Sequence, residues 1–103
     1  MGTPGSYVVA SHLRIDTEGV GDLERAFQQR LGEVEGEPGF RGLEVWADAH
    51  HRGAYVMVSW WDSDEAFRAY MGSEAHRRSH ARIPRDPYAP RAEVVHRYRV
   101  IAR

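Results

Sequence analysis

Residues 7–15 alternate between two classes of side chain. Tyr7, Val9, Ser11, Leu13 and Ile15 fall on one side, and Val8, Ala10, His12 and Arg14 on the other, which is the period of two that belongs to a strand. The odd-numbered side is the more apolar, so it should face a core. From Val20 the period changes. Val20, Leu23, Phe27, Leu31 and Val34 recur at intervals of three and four, one stripe along a helix that should close near Gly36. Pro38-Gly39 imposes a turn. Residues 40–46 and 54–61 then read as two strands rich in aromatic and branched side chains, joined by a hairpin loop at residues 49–53. Asp62-Ser63-Asp64-Glu65 supplies capping oxygens and first-turn acids, so a second helix is expected over residues 63–71. Gly72-Ser73 interrupts it. A third helical piece, residues 74–82, must stop before Ile83-Pro84, because proline cannot continue a helix. Residues 85–91 form a proline-punctuated loop, and residues 92–102 form a final strand.

The predicted order is βαββαβ. It defines an α+β class: a ferredoxin-like sandwich of one antiparallel sheet with both helices on one face. The other face would carry aromatic and apolar side chains in bulk, and a second copy stacked on it is the natural cover. A homodimer, a dimeric α/β-barrel, is the expected assembly. At 103 residues the chain fits one domain, residues 1–103, with residues 1–6 as a flexible N-terminus.

Composition narrows the chemistry. The content, 42% hydrophobic and 28% charged, is that of an ordinary globular protein, and no apolar run approaches the ~18–20 residues of a membrane span. The N-terminal Met1-Gly-Thr-Pro-Gly-Ser6 lacks the basic start and apolar core of a signal, so the cytoplasm is the expected compartment. With no cysteine, disulfides, thiolate metal sites and cysteine nucleophiles are excluded. The net charge of -1 conceals an asymmetry: residues 1–65 hold 5 Arg against 12 acids, and residues 66–103 hold 9 Arg against 3. This pattern fits two oppositely charged segments lying side by side, or an anion site in the C-terminal half. Phosphate-loop, dinucleotide-binding, nucleophile-elbow and zinc-protease motifs are all missing. The third strand also lacks the basic-Gly-aromatic signature of an RNA-recognition module with this topology, so no nucleic-acid partner is expected.

Histidines remain as candidates. His76 and His80 are four residues apart and would share one helix face, but they lack an obvious third protein ligand for zinc, and solvated histidines among arginines are the commoner reading. The stretches Pro38-Gly39-Phe40-Arg41-Gly42-Leu43, Val56-Met-Val-Ser-Trp-Trp61, Asp62-Ser-Asp-Glu-Ala-Phe-Arg-Ala-Tyr70 and Met71-Gly-Ser-Glu-Ala-His-Arg-Arg-Ser-His80 resemble the antibiotic biosynthesis monooxygenase superfamily. Within it the chain looks most like the haem-degrading branch. The resemblance runs over about residues 8–101 and is most specific from Trp61 to His80.

That branch is marked by an Asn on the first strand, a Trp on the second helix and a His about ten residues later. This chain has Ser11, Tyr70 and His80 at those positions. The resemblance therefore implies haem as cofactor, His80 as its axial ligand and Arg77 as a partner for its carboxylates, with Arg78 and Arg82 nearby. It implies Ser11 as a donor toward the bound oxygen, Tyr70 as the wall against the ring, and an electron donor as a further partner. Parity puts Ser11 on the side of Val9 and Leu13, unless a bulge exchanges it with His12. Two other readings use the same fold. One is an oxygenase without cofactor, acting on an aromatic or polyketide-like substrate against Trp46, Trp60, Trp61 and Tyr70. The other is a non-catalytic dimeric module that binds a small molecule.

Overall fold

The computed structural model describes residues 3–29, 33–74, 76–77 and 91–103. Its strands are β1 (Tyr7–Arg14), β2 (Phe40–Ala47), β3 (Ala54–Trp61) and β4 (Arg91–Arg99), and its helices are α1 (Val20–Gln28) and α2 (Asp64–Met71). The strands lie in the order β2-β3-β1-β4, every neighbouring pair antiparallel. This is the ferredoxin-like α+β arrangement that the periodicity predicts.

Strand parity decides what each side buries. On β1, Val9 is buried beside half-buried Tyr7, and Leu13 packs further along the same side. Two apolar clusters result. Val9, Val34, Trp61 and Phe67 form one, beneath α2, with Tyr7, Phe40, Leu43, Ala66 and Tyr70 packed around it. Ile15, Val20, Leu23 and Tyr55 form the other, beneath α1, with Leu13, Phe27 and Val45. Each helix thus seals one end of the sheet. The opposite face keeps Val8, Val56 and Trp60 only half-buried and leaves Trp46 49% and Tyr98 53% exposed.

Local chemistry explains most boundaries. Ser63 is extended, and its Oγ accepts from the Ala66 amide at 3.1 Å, so it caps α2 from outside the helix. Gly39 has φ of +81° and its carbonyl accepts from the Asp62 amide at 2.8 Å; a Cβ there would meet the Ala66 Cβ at 2.5 Å. Only glycine lets β2 begin so close to the start of α2.

Three expectations are corrected. The first helix ends at Gln28, not near Gly36, and Val34 reaches the core from a separate 3-10 turn, Glu33–Gly36. The last strand stops at Arg99, and Val100 instead exchanges backbone hydrogen bonds of 2.8 and 2.9 Å with Gly5 and Ser6. Residues 63–71 lose their first member to the cap. Of the third helical piece, Glu74, His76 and Arg77 are helical, capped by Ser73 Oγ, which accepts from the His76 amide at 3.1 Å. The rest of that piece, with the loop that follows it as far as residue 90, lies outside the described residues, as do residues 1–2. No described helix is long and apolar enough to cross a membrane.

One polar contact ties α1 to the sheet. The Tyr55 hydroxyl donates to Glu24 Oε2 at 2.6 Å. Burial, then the Glu24 carboxylate, pushes its pKa from the ordinary 10 up to about 12. Below pH 10 both folded and unfolded chains are protonated and the bond contributes fully; between pH 10 and about 12 the unfolded chain ionises first, so this stability is lost as pH rises. Tyr55→Phe should cost about 1 kcal/mol at neutral pH. In urea denaturation, its deficit against the parent should shrink across that alkaline window.

Candidate active site

Ser11 lies at the centre of β1, opposite Met57 on β3 and Val95 on β4. The β1 and β3 register is unbroken from end to end, so Ser11 keeps the helix-facing side that it shares with Val9 and Leu13. A bulge does occur in the pairing with β4, between His12 and Leu13, but the register there skips a residue of β4 rather than of β1. His12 therefore stays on the far face, where its ring meets that of His96 edge-on at 5.4 Å. Beside Ser11, Val95 is 48% exposed although it points to the helix side. Apolar surface is left open next to a hydroxyl.

Tyr70 is set by α2. It lies three residues beyond Phe67 on the sheet-facing stripe, half-buried, with its ring 5.3 Å from Trp61 and 5.2 Å from His76, which approaches edge-on. Trp61 is a fixed support, only 1% exposed, and its indole N–H donates to Ser59 Oγ at 2.9 Å. That bond satisfies the one polar atom a buried tryptophan brings with it. Because Ser59 pairs with Val9, the indole runs along the sheet toward the rung two residues from Ser11. Ser11 and Tyr70 thus both lie on the helix side of the sheet, Tyr70 against Trp61, and half-exposed Met71 follows Tyr70 at the end of α2.

Arg77 is exposed, and its guanidinium pairs with Glu74 three residues earlier. Such a surface pair contributes about 0–1 kcal/mol, so the guanidinium can exchange partners readily. His80, with Arg78 and Arg82, lies outside the described residues. Among the described residues no group of three or more His, Asp or Glu could hold a metal ion. Trp46 and Trp60, expected beside Tyr70, fall on the opposite face, opposite Val56 and Val8.

Sequence reasoning missed the helix-facing side of β4. Val95, Arg97 and Arg99 pair with Ser11, Val9 and Tyr7, so two guanidiniums line the sheet edge beside the candidate site. Arg97 lies 5.7 Å over the Phe67 ring centroid. Alternation along the last strand carries this signal, but only once its pairing with β1 is known. Among the described residues, two clefts bear on the site. One of about 480 Å³ is lined by Tyr7, Ser63, Arg97 and Arg99 among others, and one of about 330 Å³ lies between α1 and the β2–β3 hairpin. Neither includes Ser11 or Tyr70 in its lining.

Fold and geometry together define a ferredoxin-like domain with its candidate site between the sheet and the second helix. Residues 6–82 match the antibiotic biosynthesis monooxygenase family, and the chain belongs to it. Among solved structures, the chain is similar to the haem degrader MhuD of Mycobacterium tuberculosis, captured with two haems bound in its active site. The two are 28% identical with a TM-score of 0.77, over 94% of this chain and 97% of that one. SnoaB, a cofactor-independent oxygenase from Streptomyces nogalater, shares the fold at 12% identity and a TM-score of 0.75, over 93% of each chain. A mycobilin-producing haem oxygenase of M. tuberculosis is 37% identical over 54 residues, 52% of this chain and 51% of the relative. A staphylobilin-producing haem oxygenase of Staphylococcus epidermidis is 30% identical over 69 residues, 62% and 65% of the two chains. The match thus spans about half to two thirds of the curated relatives.

Proposed function

We propose that this chain is a haem-binding monooxygenase that degrades haem with dioxygen and an electron donor, working as a homodimer. The observation that carries the reading is the placement of Ser11: a hydroxyl on the helix-facing side of the sheet, bordered by the open apolar surface of Val95. The haem oxygenases among its relatives support the same ligand.

The residues present fit such a ligand. Val95, Met71 and Tyr70 offer apolar and aromatic contact to a flat ring, and arginines stand beside them for its carboxylates. His80 would hold the iron through one imidazole nitrogen. Bound haem supplies the redox chemistry that activates dioxygen. Ser11 would donate its hydroxyl proton as a hydrogen bond into the open side of the site. Tyr70, backed by the locked Trp61 ring, would form a wall that cannot recede. In this reading a second copy covers the exposed Trp46, Val94 and Tyr98 on the far sheet face.

Haem-loaded protein given ascorbate in air should lose its Soret band and release iron to a chelator. Ser11→Ala should slow that loss about tenfold, the worth of one hydrogen bond near 1.4 kcal/mol. A Soret band that persists under reductant and air would overturn the degradative reading. A cofactor-independent oxygenase draws support from the Phe67, Trp61 and Tyr70 ring cluster, which suits an aromatic substrate. Oxygen uptake with a phenol in haem-free protein would establish it instead.

A further inference from the structure

The cleft of about 480 Å³ at the outer edge of β4 has a distinctive charge balance. Two acids and two arginines line it: Asp62, Asp64, Arg97 and Arg99. Both acids are already engaged elsewhere. Asp62 accepts from two nitrogens of the Arg41 guanidinium, with Nη2 at 3.0 Å, and Asp64 pairs with Arg68 at 2.7 Å. Among the described residues no carboxylate pairs with Arg97 or Arg99. Arg97 does lie over Phe67, but a contact with a ring face satisfies none of the N–H donors of a guanidinium. Among the described residues, two guanidiniums thus have no carboxylate partner, in a cleft that Tyr7 and Ser63 also line.

Their spacing is set by the strand. Arg97 and Arg99 are two residues apart on one side of β4, so their Cα atoms are about 6–7 Å apart along it. The next position on that side is half-exposed Val95, opposite Ser11. Followed from Arg99 to Val95, the helix-facing edge of the sheet passes from doubly cationic to apolar. A ligand matching this gradient is a flat apolar body with carboxylates at one end.

We infer that Arg97 and Arg99 form the carboxylate-binding end of the ligand site and select an amphipathic di-acid, which under the function proposed above means the two carboxylates of haem. Guanidinium suits this role because its planar fork matches a carboxylate with two parallel hydrogen bonds. The inference rests on haem being the ligand.

The test compares haemin with haem dimethyl ester, which keeps the ring and iron and lacks both negative charges. Each is titrated into the parent chain, the double variant Arg97→Gln/Arg99→Gln and the conservative Arg97→Lys/Arg99→Lys, following the Soret band, with melting temperatures checking that each variant is folded. The parent should bind haemin at least tenfold more tightly than the ester. The glutamine variant should lose that preference by weakening haemin alone, with the ester unaffected, and the lysine variant should keep part of it. Haemin binding with an undiminished preference in the glutamine variant would overturn this inference while leaving the haem reading intact. No Soret band with either compound in the parent would overturn both.

Discussion

Trp61→Ala should destabilise the chain by about 3–5 kcal/mol, the usual cost of removing a large aromatic side chain from a core. Small domains have about 5–15 kcal/mol in total, so the variant should unfold at a far lower urea concentration or fail to fold at physiological temperature. Trp61 is 1% exposed and meets three aromatic rings, with Phe40 at 5.3 Å, Phe67 at 5.7 Å and Tyr70 at 5.3 Å. Truncation removes all three contacts and leaves Ser59 Oγ without the indole donor. The same change withdraws the support behind Tyr70, so any residual folded protein should bind a ring ligand more weakly. Trp61→Phe keeps an aromatic filler and loses the hydrogen bond, and should cost about 1–3 kcal/mol. Equal denaturation midpoints for Trp61→Ala and the parent would mean that α2 is held by something other than this cluster.

The parts of the fold legible in the sequence were those where one local rule sufficed. Residues 54–61 carry the bounds of β3 in the sequence, because a run of aromatic and branched residues is closed by Gly53 on one side and Asp62 on the other. The start of α2 was legible for a similar reason, since Ser63 and two acids announce a helix whatever packs on it. Periodicity overextends the first helix because it reports which positions are buried and not whether the backbone between them is continuous. Val34 does enter the core, but from a separate turn.

The site was half legible for the same physical reason. Parity on β1 placed Ser11 with Val9 before any pairing was known, and the unbroken register with β3 supports it. Parity on β4 has no direction until its bulged pairing with β1 is known, so the sequence alone does not single out Arg97 and Arg99. Residue type groups Trp46 and Trp60 with Trp61, although strand alternation sends Trp60 and its neighbour Trp61 to opposite faces.

His80→Ala carries the largest expected functional effect. Under the proposed function this imidazole is the protein's only bond to the haem iron, and losing a partner that merely orients such a ligand already costs about 10–100-fold in affinity. Losing the ligand itself should cost more than ~100-fold. His76, four residues earlier on the same segment, is the internal control: its ring rests against Tyr70 at 5.2 Å. His76→Ala should loosen that packing and leave the iron bond in place. The direct measurement is a haemin titration of the parent, His80→Ala and His76→Ala, read by absorbance. A sharp Soret band in the parent and in His76→Ala, absent from His80→Ala, is the predicted result. An undiminished band in His80→Ala, or none in the parent, would contradict it.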